Sequence, residues 1–297
     1  MKTNQSTHMK ANLALGISII VLSFSGFFVR WADAPGPITS LFRMAFTAFF
    51  LSLYIFRNKS SFKLSFKKII FPLLAGILIS LDQYFWSSAL EFTTIANSIL
   101  LAYIAPVWVA LISFILFKQK MSRKFWLGLS LTMIGTMAIF GNDLFNHPQI
   151  NRGDIMAFFA SFFYAGFFLL SEKGRLETSV AEFLWLVTLS GTFTLTVLAL
   201  INGSPLIGYN NKTILIFIGA ALFAQLIGYL ALAYASGHLP ASIISPTMIL
   251  HPVLAAILAI PISGEPITKQ LLLAAPLILF GIYLINHQTG SIARSPS

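Results

Sequence analysis

Ten runs of apolar residues, separated by short polar stretches, follow one another along the chain. A run of roughly 20 apolar residues can cross the hydrocarbon core of a bilayer as a helix. The runs do not alternate in polarity as the strands of a membrane β-barrel do. They therefore predict an all-α integral membrane protein with ten transmembrane helices. The predicted segments are residues 13–31, 37–56, 69–90, 95–117, 125–140, 154–170, 183–201, 214–235, 241–262 and 270–286.

The same five-helix pattern occurs twice. Moving 146 positions along the chain carries Pro106 onto Pro252 and Gly135 onto Gly281 without a gap. Because five is an odd number, the second set of helices enters the membrane from the opposite side. This is the inverted-repeat organisation of many secondary transporters. We expect the first repeat, the second repeat and a polar tail at residues 13–141, 153–286 and 287–297.

Composition supports a membrane protein, since 57% of the residues are hydrophobic, 9% are charged and the mean hydropathy is +0.83. A soluble domain has about 25% charged residues, so this class is excluded. The net charge of +10 is explained by membrane orientation, because cytoplasmic loops are rich in Lys and Arg. Nucleic acid is not an expected partner. We expect both termini to be cytoplasmic and the host membrane to be the inner membrane of a bacterium.

The orientation follows from the count of basic residues on the two sides. The cytoplasmic side would hold Lys2, Lys10, Arg57, Lys59, Lys63, Lys67, Lys68, Lys118, Lys120, Arg123, Lys124, Lys173, Arg175 and Arg294. The other side would hold only Arg152, Lys212 and Lys269.

Two prolines lie inside the fourth and ninth predicted helices, at matching positions of the two repeats. Pro106 and Pro252 each remove a backbone hydrogen bond and free a carbonyl one turn earlier. Such discontinuous helices form the binding sites of many transporters. We interpret both prolines as hinges, with a static kink that only shapes packing as the alternative.

Asp82 is a carboxylate in the middle of an apolar run, next to Gln83 and one turn before Trp86. Burying an ionised carboxylate in lipid costs about 3 kcal/mol even on lenient scales, so Asp82 must face a wet cavity, a partner or a proton. An offset of 143 positions, which requires three extra residues near residues 236–240, brings Gln225 and Tyr229 into register with Asp82 and Trp86. We expect these side chains to line one central cavity, with Asp82 binding a proton or an amine.

Further polar residues lie inside the predicted helices. Arg43 is suited to an anionic substrate, with a structural pairing or contact with the interface as the alternative. His251 is suited to a proton or a substrate. Arg30 is interpreted as an interface anchor. For the remaining polar residues, packing between helices and substrate contact are equally good explanations; these are Asn97, Tyr103, Tyr164, Ser245 and Thr247.

The sequence contains no phosphate-binding loop, no nucleophile elbow and no clustered metal ligands. We therefore predict no catalytic residues, no bound metal and no cofactor, and we expect that the protein is not an enzyme. Transport without an ATP motif would be secondary. Expected partners are a small-molecule metabolite, the lipid bilayer and protons, while the sequence does not distinguish a monomer from a homodimer.

Several longer stretches resemble the EamA-type transporters of the drug/metabolite transporter superfamily. They are PITSLFRMAF, the stretch from TIANSILLAYIAPVWVA to TMIGTMAI, GDIMAFFASFFYAGFFLLSEK, and the stretch from LPASIISPTMILHPVLAA to LILFGIYL. The resemblance covers nearly the whole chain. It implies ten helices in two inverted halves, a central substrate cavity, and export or exchange of small metabolites.

Three functions remain open at this point. The first is a secondary transporter that exports amino acids or related metabolites by alternating access. The second is an antiporter of phosphorylated sugars or nucleotide sugars, which should need several buried Lys or Arg side chains. The third is a lipid-flipping or non-transporting membrane factor.

Overall fold

The structure is a computed structural model, and it describes residues 2–57, 65–141, 150–264 and 268–287. Its helices form ten segments, which we label α1 to α10. They are α1 (Lys2–Leu22 and Ser25–Trp31), α2 (Gly36–Arg57), α3 (Phe66–Ala89), α4 (Ile95–Ala102 and Ala105–Ile115), α5 (Arg123–Phe140), α6 (Arg152–Arg175), α7 (Val180–Ile201), α8 (Asn211–Ala220, Ala221–Gly228 and Tyr229–Ser236), α9 (Ala241–Thr247 and Leu250–Ser263) and α10 (Lys269–Asn286).

These segments confirm the predicted fold class. Nine of them, counted over the described residues, are long and apolar enough to cross a membrane. The tenth is α5, which has 18 residues and begins with Arg123 and Lys124. It packs lengthwise against α10. The structure shows no strand in the part of the chain that it describes.

Several predicted boundaries differ from the observed ones. The first helix begins at Lys2, before the predicted residue 13, and it is interrupted between Leu22 and Ser25. The eighth contains a π-helical stretch, Ala221–Gly228. The expected polar tail, residues 287–297, lies outside the described residues apart from residue 287, and so does most of the stretch between the repeats.

Both α4 and α9 are broken just before their matching prolines. The break in α4 falls at Tyr103 and Ile104, and the second piece begins at Ala105 with Pro106 in its first turn. The break in α9 falls before Leu250, again with Pro252 in the first turn of the second piece. A first-turn residue has no partner for its backbone N–H, so proline fits there without loss. The prolines therefore begin new helical pieces.

The repeats meet along a seam between α5 and α10. A Cβ atom added at Gly128 would lie 2.6 Å from the carbonyl oxygen of Gly281. A Cβ added at Gly135 would lie 3.2 Å from the carbonyl oxygen of Ala274. The offset of 146 positions relates Gly128 to Ala274 and Gly135 to Gly281. The two contacts are thus images of each other, as an axis of two-fold pseudosymmetry between inverted halves requires.

Successive helices run in alternating directions, so their ends define two faces of the bundle. We call one the basic face, since the ends of α2, α5 and α6 place Arg57, Arg123 and Arg175 there. The other, which we call the opposite face, contains Trp31, Phe140 and Ile201 at the ends of α1, α5 and α7. These two faces are the reference for the position of the site.

Candidate functional site: a cavity shared by the two halves

A cavity of about 480 Å³ lies between the halves. This volume is within the range of roughly 300–1,000 Å³ that is usual for small-molecule sites. Its lining includes residues at helix ends on the opposite face, among them Arg30, Leu90, Ile95 and Phe140. The cavity therefore extends from the middle of the bundle to the opposite face.

The helix breaks supply much of its polar lining. Ser23 and Ser25 come from the interruption in α1, Tyr103 from the break in α4, and His251 from the start of the second piece of α9. Where a helix is interrupted, its last carbonyls lose their partners inside the helix. The breaks thus place side chains and backbone carbonyls beside the cavity, in the middle of an otherwise apolar bundle.

Arg43 and Asp82 bring two opposite charges to the cavity. The Arg43 side chain is only 7% exposed, and its Nε is buried without a hydrogen-bond partner. Asp82 lies on α3, and its carboxylate has no hydrogen bond to any residue that the structure describes. The two groups act on each other electrostatically. Each charge is thus available to a ligand.

Tyr229 connects the second half to the first beside these charges. The Nε2 of Gln83 on α3 donates to the Tyr229 hydroxyl on α8 over 3.5 Å. Tyr229 is 8% exposed and also interacts electrostatically with Arg43. The cavity wall is therefore built from both repeats at this level.

His251 is hydrogen-bonded through both ring nitrogens. Its Nδ1 bonds the hydroxyl of Tyr103, and its Nε2 lies 2.8 Å from the carbonyl oxygen of Leu22. The Ser23 hydroxyl donates to the backbone carbonyl of His251 over 3.0 Å. These bonds join α1 and α4 of the first half to α9 of the second.

Apolar and aromatic groups complete the wall. The Tyr164 ring packs edge to face against Tyr103, with 6.4 Å between the ring centres. Trp86 and Ile99 line another part, and Ala255 and Ala256 leave room beside them. A mostly apolar surface with a few placed polar groups is typical of sites for small organic ligands.

The structure brings most of the predicted site residues together. Those that line the cavity are Arg43, Asp82, Gln83, Trp86, Tyr103, Tyr164, Tyr229, His251 and Pro252.

Four predicted residues do not belong to the lining: Asn97, Gln225, Ser245 and Pro106. Gln225 is fully buried, and both of its amide atoms lack partners among the described residues. It lies in the π-helical stretch of α8. Because a π-turn bonds residue i to i+5, the α-helical spacing that placed Gln225 and Tyr229 on one face does not hold there. The expectation that both line the cavity is corrected for Gln225.

Some lining residues were not predicted from the sequence. Ser23, Ser25, Ser40 and Ser87 line the cavity, but single serines in apolar helices gave no signal. Arg30 also lines it and is exposed near the end of α1, which is compatible with its interpretation as an interface anchor. The only sequence feature that could have indicated a place for Arg30 in the lining was its charge near the end of the first predicted helix.

Hydrogen bonds link helix ends at the basic face. The carboxylate of Glu172 on α6 accepts a hydrogen bond of 2.8 Å from the backbone N–H of Ala241, the first residue of α9. Arg175 donates through Nε to the carbonyl of Ala233 on α8 over 2.8 Å, and its guanidinium also bonds the carbonyl of Thr178. We call these three bonds the basic-face contacts. The bonds to Ala241 and Ala233 join α6 to α9 and α8, and the bond to Thr178 lies within the turn that follows α6.

No group of three or more His, Cys, Asp or Glu side chains arranged to hold a metal ion occurs among residues 2–57, 65–141, 150–264 and 268–287.

Ten helices in two halves around a shared cavity define a helical membrane transporter. The chain belongs to the EamA-like transporter family, whose sequence profile matches residues 9–141 and again residues 151–287. The predicted family is confirmed.

Two curated relatives come from Helicobacter pylori, and both are named uncharacterized transporters. The protein of strain J99 / ATCC 700824 is 25% identical over 254 residues, covering 80% of this chain and 83% of the relative. That of strain ATCC 700392 / 26695 is 25% identical over 255 residues with the same coverage. A crystal structure described only as that of a protein has a TM-score of 0.78 at 15% identity, covering 93% of this chain and 98% of the other. That likeness shows the fold.

Proposed function

We propose that the protein is a secondary transporter that exports small zwitterionic metabolites, such as amino acids, by alternating access through the shared cavity. Its site residues are the nine predicted residues that line the cavity, with Pro106 and Pro252 as hinges. The basic face is cytoplasmic, so both termini are in the cytoplasm and the host membrane is the inner membrane of a bacterium.

The observation that carries this proposal is the pair of opposite charges. Arg43 has a buried Nε without a partner, and a guanidinium is suited to a carboxylate through parallel hydrogen bonds. Asp82 presents a carboxylate to the same cavity and is suited to an ammonium group. A zwitterion satisfies both charges at once, whereas a simple anion or cation satisfies only one. An unpaired buried charge is costly, so the site favours ligands that carry both.

Alternating access is supported by the unequal ends of the bundle. The cavity extends to the opposite face, while Glu172 and Arg175 hold the helices together at the basic face. This arrangement corresponds to an outward-facing state. Breaking the basic-face contacts and closing the helix ends at the opposite face would give the inward-facing state, with the bends at Pro106 and Pro252 taking up the movement.

A phosphorylated sugar or nucleotide sugar is the second candidate substrate, because Arg30 joins Arg43 in the lining. The Asp82 carboxylate in the same cavity disfavours such a substrate, because a carboxylate repels phosphate. Arg43, whose Nε has no partner, and the Asp82 carboxylate together fit a zwitterion better than a dianion.

The test is transport by the purified protein in proteoliposomes. Vesicles loaded with one unlabelled zwitterion should take up a labelled zwitterion by counterflow, and empty vesicles without protein should not. The panel should contain neutral amino acids, their decarboxylated amines, their deaminated acids and sugar phosphates. Movement of sugar phosphates alone would favour the second candidate, and movement of none of these compounds would contradict transport of either class.

A further inference from the structure

Three helix breaks meet at His251. Leu22 is the last residue of the first piece of α1, and its carbonyl accepts from His251 Nε2 over 2.8 Å. Tyr103 is the residue at which α4 is interrupted, and its hydroxyl bonds His251 Nδ1. His251 itself is the second residue of the Leu250–Ser263 piece of α9. One imidazole ring therefore joins the discontinuities of both halves.

The partners of the ring determine where its protons are. A carbonyl oxygen only accepts hydrogen bonds, so Nε2 must carry a proton and donate it to Leu22. In the neutral ring Nδ1 then has a free lone pair and accepts from the Tyr103 hydroxyl. A second proton has only one place on this ring, and that is Nδ1. The Tyr103 hydroxyl bonds this nitrogen, and both residues belong to the cavity lining.

We infer that His251 binds the coupling proton at Nδ1, so that binding of the proton and binding of the substrate exclude each other. This inference rests on the proposed function. When Nδ1 takes a proton, it becomes a donor, and the Tyr103 oxygen becomes the acceptor of that bond. The Tyr103 O–H must then turn to another acceptor in the cavity. The bond between α4 and α9 is kept, but its direction is reversed.

The new positive charge changes what the cavity can hold. The charged and titratable groups that share the lining with His251 are Arg30 on α1, Arg43 on α2, Asp82 on α3, Tyr103 on α4, Tyr164 on α6 and Tyr229 on α8. Arg43 already acts on His251 electrostatically. A cationic His251 adds to the positive charge of Arg43. It repels the ammonium group of the substrate and competes with that group for the Asp82 carboxylate. Proton and zwitterion then compete for one site, which is the condition for antiport.

The first test uses His251→Gln in proteoliposomes. A glutamine side chain has an N–H group for the Leu22 carbonyl and an oxygen for the Tyr103 hydroxyl, but it binds no proton in this pH range. The wild-type protein should accumulate substrate against its gradient when protons flow the other way. A gradient of one pH unit is a tenfold ratio of proton concentrations and supplies about 1.4 kcal/mol. If one proton is exchanged for each substrate molecule, the substrate should therefore accumulate about tenfold. The variant should lose this accumulation, and the counterflow that it retains should no longer depend on pH.

Two results would overturn the inference. Tenfold accumulation by the His251→Gln variant would show that the proton binds elsewhere, with Asp82 as the next group to test. Loss of counterflow together with accumulation would show that His251 holds the substrate or the fold. Absence of counterflow in the wild-type protein would instead refute the proposed function itself, so the two failures are distinguishable.

The second measurement observes the proton directly. The chain has five histidines, and nuclear magnetic resonance of histidine-labelled protein in detergent, compared with the His251→Gln variant, assigns the signal of His251. We expect this signal to titrate, and saturating zwitterion should move its midpoint to lower pH because the two ligands compete. A midpoint that does not respond to substrate would contradict the inference. His238, which bonds the Tyr234 carbonyl at the basic-face end of α8, is the internal control, and its signal should not change when the zwitterion is added.

Discussion

Gly128 and Gly281 contact each other backbone to backbone across the seam between the halves. A Cβ added to either residue would lie 2.6 Å from the carbonyl oxygen of the other. This distance is too short for a methyl group, so the seam requires glycine at both positions. Lipid offers no hydrophobic drive for helix association, and close approach at small residues supplies it instead.

We expect Gly281→Ala to destabilise the protein. The added methyl group must push α10 away from α5, and overpacking of this kind costs about 1–3 kcal/mol. The loss of stability can be measured by heating the detergent-solubilised protein and then determining the folded fraction by size-exclusion chromatography. Gly16→Ala is the matched control, since Gly16 lies in α1 with nothing within 4 Å of its added Cβ. Alanine there should leave the protein unchanged or slightly more stable, because it favours a helix over glycine. Equal stability of the two variants would contradict the packed seam.

The charges in the cavity make a second prediction. Asp82→Asn and Arg43→Gln should each weaken zwitterion binding by about tenfold or more, since hydrogen bonds to charged groups contribute about 1.5–3 kcal/mol. Binding to the purified protein can be measured by scintillation proximity with a labelled zwitterion. Asp33→Asn is the control, because Asp33 is an exposed residue between α1 and α2. Wild-type affinity in Asp82→Asn would remove Asp82 from the site.

Pro252 should matter for the rate of transport more than for binding. Pro252→Ala restores a backbone N–H in the first turn of the Leu250–Ser263 piece and allows the helix to continue through the break. We expect slower counterflow with little change in affinity. Pro276→Ala is the control, because Pro276 is exposed and lies in α10, which is unbroken. A rate equal to that of the wild-type protein would leave the break as a static feature of packing.

The basic-face contacts should stabilise the outward-facing state. The chain contains no cysteine, so a single cysteine at Ala256 in the cavity lining reports access without background. A membrane-impermeant maleimide should label it from the opposite face. Adding Arg175→Ala removes the bonds to Ala233 and Thr178, so labelling should slow by up to about tenfold as the inward-facing population grows. A labelling rate that does not change would show that these contacts do not hold the state.

Much of the fold could be read from the sequence because each helix must satisfy its own backbone in lipid. That requirement makes long apolar runs informative, and the offset that relates Pro106 to Pro252 revealed the repeat. The interruption of α1 at Ser23 could not be predicted, since it contains no proline and the residue before it is bonded by His251, 229 positions from Leu22. Gln225 was misplaced for a related reason, because a π-helical stretch does not follow from local composition. Arg43 and Asp82 stood out as costly charges in apolar runs, but their approach to one cavity depends on tertiary packing.

We propose that one cavity, with Arg43 on one helix and Asp82 on another, binds both ends of a zwitterion and carries it across the membrane. Counterflow in proteoliposomes tests it most directly with three labelled compounds that share a side chain: the amino acid, the amine that lacks its carboxylate and the acid that lacks its ammonium group. We predict rapid counterflow of the amino acid and at least tenfold slower movement of the other two, corresponding to about 1.4 kcal/mol or more for each lost charge pair. Equal movement of all three, or of the amine or acid alone, would contradict the claim.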